Sequence, residues 1–357
     1  MSTASPPAVD GTEGRTASAA PAAAAPSPVG AAVAWLVKNP LVVLLVVMVV
    51  GIQLATGSQL SWGNLRGVFL DAAVIAIVAA PVGMLVISGY IDLSVGSTLA
   101  LGGVVAGKVV QSGASPGVAV LAAVAAGAAV GVVNAVLTTV FGLSSFIVTL
   151  GMLTAVRGLA QLVTPLPLSN FGDAFGFLGI GNIAGIPLAA LIAVVVLVVA
   201  GVFLTRTPAG RHVYAIGVNR EAAFLSGVDV RRIPFLLFVA TGAAAGLAGA
   251  ITVARLNSAP ASQLGLGFEL SVLTAVLLGG IALTGGEGSM VGVLVGVLFL
   301  GLLRNGLTLL GVPTFWQNVA SGLALVAAVG IAAATHLARG KLQAREARRL
   351  DDAPATG

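Results

Sequence analysis

IDLSVGSTLALGG (Ile91–Gly103) and FELSVLTAVLLGG (Phe268–Gly280) are two renderings of one phrase. Leu-Ser-Val matches in a row, Asp92 aligns with Glu269, and both copies close on Gly-Gly. Further matches keep the same order. Asn134 and Asn305 each follow an apolar stretch, and Gly142-Leu-Ser-Ser-Phe146 parallels Gly311-Val-Pro-Thr-Phe315. The two phrases fall in the third and eighth of ten apolar stretches. Five spans is an odd number, so the two halves have opposite topology. Inverted repeats with short, Gly-interrupted spans in equivalent places point to a transport path.

The ten stretches run Trp35–Ala55, Val68–Ser88, Val95–Gln111, Gly117–Phe141, Ser145–Val163, Pro187–Thr205, Ile233–Ala254, Leu270–Leu283, Met290–Leu310 and Gln317–Thr335. About 20 apolar residues cross a bilayer core. Backbone groups in lipid must bond within their own segment, which predicts helices. The short alternating segments of a barrel are absent. The expected fold is therefore an all-α membrane protein of about ten transmembrane helices with an inverted-topology internal repeat.

Composition agrees. Charged residues are 8% and hydrophobic residues 58% of the 357, and mean hydropathy is +1.08. A soluble domain carries about 25% charged residues. The net charge of +5 is not arranged as Lys/Arg blocks with interleaved aromatics, so nucleic acid is not an expected partner. With no cysteine there are no disulfides or thiolate metal sites. His212 and His336 are the only histidines and lack clustered carboxylates, so no metal or acid–base centre is expected.

Orientation follows from the basic residues. Arg206, Arg211, Arg220, Arg231 and Arg232 crowd the connection after the sixth stretch, and Arg339, Lys341, Arg345, Arg348 and Arg349 crowd the C-terminal tail. Both belong inside. An even span count puts the N-terminus inside too, beside Lys38, while Thr164–Ile186 has no Lys or Arg and fits the outside. Residues 1–33 read as a disordered Ala/Pro/Ser-rich cytosolic tail rather than a signal peptide. Residues 34–338 form the membrane domain, with a cytosolic loop at 206–232. Residues 339–357 form a basic cytosolic tail.

Gly102-Gly-Val-Val-Ala-Gly107-Lys108-Val109 nearly spells a phosphate loop, but Val109 stands where a Mg²⁺-binding Ser or Thr belongs. ATP chemistry must then come from a partner. In the 206–232 loop, Glu221-Ala222-Ala223 with Gly227 four residues later suits a short helix. Glu221 favours the N-terminal dipole, and Gly227 takes the left-handed turn that ends it.

That spacing matches the EAA-x-x-x-G loop of ABC importer membrane subunits. The chain resembles the ribose-type family of ABC sugar permeases, over roughly Asn64 to Ala334. The resemblance is carried by Gly89-Tyr-Ile-Asp-Leu-Ser-Val-Gly-Ser97, Ser145-Phe-Ile-Val-Thr-Leu-Gly-Met152 and Thr207-Pro-Ala-Gly-Arg-His-Val-Tyr-Ala-Ile-Gly-Val-Asn219. Arg255-Leu-Asn-Ser258, Leu278-Gly-Gly280 and Gly285-Gly-Glu-Gly-Ser289 add to it. The chain departs from the family in its long N-terminal tail and at Glu287, where Arg is common.

The resemblance implies a permease of the bacterial cytoplasmic (inner) membrane that is not itself an enzyme and holds no cofactor. ATP and Mg would be used by cytosolic ABC ATPase subunits. An extracytoplasmic sugar-binding protein and a second permease copy or homologue would complete the complex. The expected coupling residues are Glu221, Ala222, Ala223, Ser226 and Gly227. Expected path residues are Asp92, Ser94, Ser97, Asn134, Glu269, Ser271, Thr274 and Asn305. Intramembrane charges face the bundle interior or water. Asp92 remains open between path and helix cap, and Asn134, Arg157, Arg304 and Asn305 between substrate contact and interhelical hydrogen bonds. Rival readings are an ABC permease for branched-chain amino acids or nucleosides, and an ion-coupled secondary carrier.

Overall fold

The computed structural model describes residues 40–327 and 330. The readings of the N-terminal tail, Lys38, His336 and the basic C-terminal tail fall outside these, as do the start of the first stretch and the end of the tenth. The described residues fold mostly into helices. They are α1 (Pro40–Thr56), α2 (Trp62–Ile87), α3 (Val95–Gln111), α4 (Pro116–Ala135), α5 (Ser145–Val163), α6 (Asp173–Ile180) and α7 (Leu188–Arg206). Then come α8 (Pro208–Val218), α9 (Arg220–Leu225), α10 (Arg232–Leu256), α11 (Phe268–Leu278), α12 (Met290–Leu309) and α13 (314–327).

Six of these, α2, α4, α5, α7, α10 and α12, are long and apolar enough to cross a membrane. A helix of 25 residues such as α10 spans about 38 Å, against a hydrocarbon core of about 30 Å. This is a multi-pass, all-α membrane protein. Helices α1, α3 and α11 are apolar but shorter.

Two helices form the centre. Every residue from Ala72 to Ile87 of α2 is buried, as expected of a helix apolar on all sides. Helix α10 packs against α3, α4 and α2, while α2 packs against α7, α12 and α11. By contrast, α7 turns Val194, Val195, Val198, Val199 and Val202 outward, a suitable face for lipid.

The closest contacts of the α10–α4 seam are backbone on backbone. Gly127 and Gly131 of α4 face Gly242, Gly246 and the Phe238 carbonyl of α10 so closely that a Cβ would strike backbone. Small residues at these positions let backbones approach and gain dispersion contacts, which drive helix association in lipid.

Several details were not expected from sequence. Helix α2 starts six residues before the predicted stretch, because Trp62-Gly-Asn-Leu-Arg66 continues it as a polar first turn. Helix α4 loosens into one π-turn at Val136–Val140, where Thr138 and Thr139 return their hydroxyls to the Asn134 and Ala135 carbonyls. The eighth stretch yields only eleven helical residues, since Gly279-Gly280 end it with Gly280 at φ +84°. The 164–186 segment holds α6 and takes part in two small strand pairs. Strand β1 (Leu168–Ser169) pairs with β4 (Ser258–Ala259), and β2 (Asn182–Ile183) with β3 (Ile186–Pro187).

Candidate functional site

The chain breaks twice before a short helix, and polar side chains hold both breaks. After α2, residues 88–94 run without helix into α3. Asp92 is 1% exposed. Its Oδ1 accepts from the Ser94 backbone N–H at 2.8 Å and from the Ser94 hydroxyl at 2.6 Å. Asn134 Nδ2, from α4, donates to Ser94 Oγ at 2.9 Å and lies 3.4 Å from Asp92 Oδ2. Three expected path residues thus form one hydrogen-bonded cluster. Asp92 does not cap α3 itself: it fixes Ser94, which occupies the N-cap position. Ser97 stands apart, buried and donating to the Leu153 carbonyl of α5 at 2.6 Å.

The second break, 257–267, precedes α11. Asn257, at φ +48°, accepts from the Phe171 N–H at 2.9 Å. Arg157 reaches in from α5 and donates to the Ala261 carbonyl at 3.1 Å and to the Leu264 carbonyl. Ser271 donates to the Gly267 carbonyl at 3.1 Å and accepts from Arg304 Nη2 of α12 at 2.9 Å. Ser94 and Ser271, matched in the sequence repeat, thus each accept from the helix that follows their own broken span. Thr274 returns its hydroxyl to the Leu270 carbonyl at 2.6 Å. Glu269 lies against the Gly96 backbone of α3, so the two broken spans touch there. Asn305 exchanges two hydrogen bonds with Asn64, at 2.7 and 2.8 Å. Asn134, Arg157, Arg304 and Asn305 therefore all bridge separate elements.

Two cavities adjoin this second break. One, of about 500 Å³, is lined by Asp71, Arg255, Phe268, Arg304, Asn305 and Gln317 among others. The other, of about 570 Å³, lies between α11 and α13 and is lined by Ser271, Thr274, Arg304, Asn318 and Ser321. In the first, Arg255 Nη1 donates to Asp71 Oδ1 at 2.6 Å. The two partners are 184 residues apart in sequence, so no local pattern pairs them. A charge inside an apolar stretch was the only local signal. Ser271, Thr274 and Asn305 reach these cavities, and Asp92, Ser94, Ser97 and Asn134 do not line them.

At the far end of α10 sits the α8–α9 unit. Thr207 caps α8 by accepting from the Gly210 N–H at 3.0 Å, with Pro208 in the first turn, where its missing N–H costs nothing. Asn219 caps α9 through Ala222 N–H at 2.9 Å. Helix α9 ends as its sequence demands. Gly227 sits at φ +83°, its N–H donating to the Phe224 carbonyl at 2.9 Å, while Val228 N–H donates to Ala223 at 3.0 Å. This pair of bonds is the Schellman pattern. Ser226 donates to the Ala222 carbonyl at 2.9 Å. Ala223 alone is buried, against Ile216 and Val230. Glu221, Ala222, Phe224 and Leu225 are exposed, with Phe224 at 64% and Leu225 at 78%. Two exposed apolar side chains on a six-residue helix offer a contact face. Asp229 accepts from the Arg232 and Arg231 N–H groups at 2.9 and 3.1 Å. These bonds, that from Arg232 foremost, hold its carboxyl below the ordinary range.

The Gly102–Val109 segment lies wholly within α3, where its N–H groups serve the helix rather than a phosphate. Among the described residues, no group of three or more His, Asp or Glu gathers into a metal site.

A family model described as branched-chain amino acid transport system / permease component matches residues 64–329. The ribose import permease protein RbsC of Escherichia coli K12 is 38% identical over 301 residues, 83% of this chain and 94% of that protein. RbsC of Bacillus subtilis 168 is 38% identical over 80% of this chain and 89% of its own length. The L-arabinose ABC transporter permease protein AraH of Azospirillum brasilense is 37% identical over 88% and 93%. No solved structure matches the chain. It is a transporter subunit and not an enzyme, and it belongs to this permease family, within the ribose-type permeases of ATP-driven importers.

Proposed function

We propose that this subunit carries a sugar of the ribose-type monosaccharide class across the bacterial cytoplasmic membrane. The sugar is delivered by an extracytoplasmic binding protein, and ATP and Mg are consumed by separate ATPase subunits. The observation that carries this reading is the identity to ribose, allose and arabinose permeases over most of both chains. In this reading α1, α3, α11 and α13 complete ten spans as an inverted repeat. Each half's second span, α2 or α10, packs on the third and fourth spans of the other half. The arginine-rich α8–α9 end faces the cytosol, as do both termini, and the β1–β4 end faces outside.

The two polar cavities then open near the outer side, where cargo enters. Asp71, Arg255 and Arg304 supply hydrogen-bonding groups that also favour water-filled space at membrane depth. The eight expected path residues divide in this scheme. Ser271, Thr274 and Asn305 border the entrance and Glu269 packs against Gly96 of α3, whereas Asp92, Ser94, Ser97 and Asn134 brace the inner break. Two copies, or one copy and a homologue, form the working dimer. Glu221–Gly227 docks on the ATPase through Phe224 and Leu225.

Reconstitution of the permease with its ATPase and binding protein tests this. Internal ATP should drive accumulation of a labelled pentose or hexose, with no effect of an uncoupler. Uptake of leucine or valine in place of every sugar would move the cargo to branched-chain amino acids. Uptake without ATP that collapses with an uncoupler would favour an ion-coupled carrier.

A further inference from the structure

Three backbones meet beneath α2 without an intervening side chain. Gly217, near the end of α8, lies so close to the Ile87 carbonyl that a Cβ at 217 would overlap the oxygen. That same oxygen, at the end of α2, accepts from the Gly286 N–H at 2.8 Å. Gly286 belongs to the 279–289 segment that links α11 to α12. At Gly285, a Cβ would stand 3.1 Å from both the Gly217 Cα and the Gly89 nitrogen. Gly285 and Gly286 also have φ of +83° and +78°, so the chain can approach this way only with glycine. Two side-chain contacts flank the meeting point. The Tyr214 hydroxyl of α8 donates to the Gly288 carbonyl at 2.9 Å. The Arg220 guanidinium, at the start of α9, lies 5.8 Å from the centre of the Tyr90 ring, within cation–π range.

The α8–α9 unit is thus tied to the end of α2, to the break before α3, and to the segment after α11. These are the places where both broken spans meet the same end of the bundle. A displacement of α9 has no slack side chain to absorb it before it reaches Ile87 and Gly286. We propose that Gly217 is a positioning residue of the transport cycle. In this role it keeps the α8 backbone in direct contact with the end of α2 and with the 279–289 segment, so that ATPase-driven movement of α9 shifts the break before α3 and the segment after α11 together. The proposal rests on the importer reading above but concerns transmission rather than docking.

The test uses the reconstituted complex of permease, ATPase and binding protein. Four quantities are measured: ATPase co-purification, ATP hydrolysis, sugar uptake, and sugar moved per ATP. Gly217→Ala should co-purify with the ATPase and hydrolyse ATP, while sugar moved per ATP falls about tenfold, within the range of coupling changes of this kind. Tyr214→Phe removes a single hydroxyl and should keep the melting temperature, yet lower sugar per ATP about threefold. It is the deciding variant if Gly217→Ala fails to assemble. Wild-type ratios of sugar to ATP in both variants, or in Tyr214→Phe alone when the other does not assemble, would overturn the proposal. An importer reading that fails shows itself differently, as wild-type complex that moves no sugar with ATP.

Discussion

The Asp71 carboxylate and the Arg255 guanidinium meet at 2.6 Å and tie α2 to α10 inside a polar cavity. Their side chains are 63% and 30% exposed, respectively. Such a pair contributes at most about 1 kcal/mol to stability. Asp71→Ala should therefore leave the folded yield near normal while reducing uptake, because it leaves Arg255 without its partner. The reversed pair, Asp71→Arg with Arg255→Asp, should recover part of the lost uptake. Equal uptake by wild type and Asp71→Ala would make the pair incidental.

Gly227→Val should damage coupling and spare the membrane core. A β-branched residue at φ +83° costs about 1 kcal/mol or more, although open space surrounds the position. Expression should stay near normal. ATP hydrolysis by the partner should stop responding to the loaded binding protein. A normal response with full uptake would remove this turn from the coupling scheme.

Asn219→Ala tests the other end of the same helix. Loss of the bond to Ala222 N–H should destabilise α9 by about 1 kcal/mol. Amide exchange should accelerate at Ala222 and Ala223 and remain unchanged in α10. Asn219→Asp, which keeps the acceptor oxygen, should restore protection.

The bonds to Asp229 give the start of α10 an acid dependence. The folded carboxyl titrates below its unfolded value, which is about 3.9. Its contribution is therefore complete above that value and is lost as pH falls through the lower folded one. Protection factors at the Arg231 and Arg232 amides, with the intrinsic pH dependence of exchange divided out, should fall on acidification below about pH 4. The Asp229→Ala variant should exchange fast at every pH, and a wild-type profile flat down to strong acid would contradict the link.

Thr274→Phe should narrow the cavity between α11 and α13, because Thr274 lines it. Uptake should fall while ATPase co-purification persists. Ser97→Phe differs: Ser97 is buried and bonded to Leu153 but lines neither cavity, so a bulky ring there has no space to enter and should lower the melting temperature as well. Thr274→Phe with unimpaired uptake would remove that cavity from the path.

Local chemistry explains what the sequence revealed. Of ten long apolar runs, six are helices long and apolar enough to cross a membrane, and the end of α9 was readable because Gly227 acts within three residues of its partner. The polar spine was less legible. Ser94 pairs with Asn134 and Ser271 with Arg304 across 40 and 33 residues, and the Asn64–Asn305 pair spans 241. A repeat indicates that such residues matter without saying which ones touch. Helix α6 was missed because eight residues of Asp173-Ala-Phe-Gly-Phe-Leu-Gly-Ile180 lack a length or cap that separates them from loop.

The glycine contacts of the α10–α4 seam constrain how this gene can drift. Selection at Gly127, Gly131, Gly242 and Gly246 acts on the absence of a carbon atom, since each would place a Cβ against opposing backbone. Gly51, Gly63, Gly67, Gly117, Gly151, Gly158 and Gly176 meet nothing at that distance. A saturation library scored by growth on the transported cargo should therefore split the glycines into two populations. Alanine should be depleted at the first four positions and recovered freely at the other seven, although all lie in helices of similar composition.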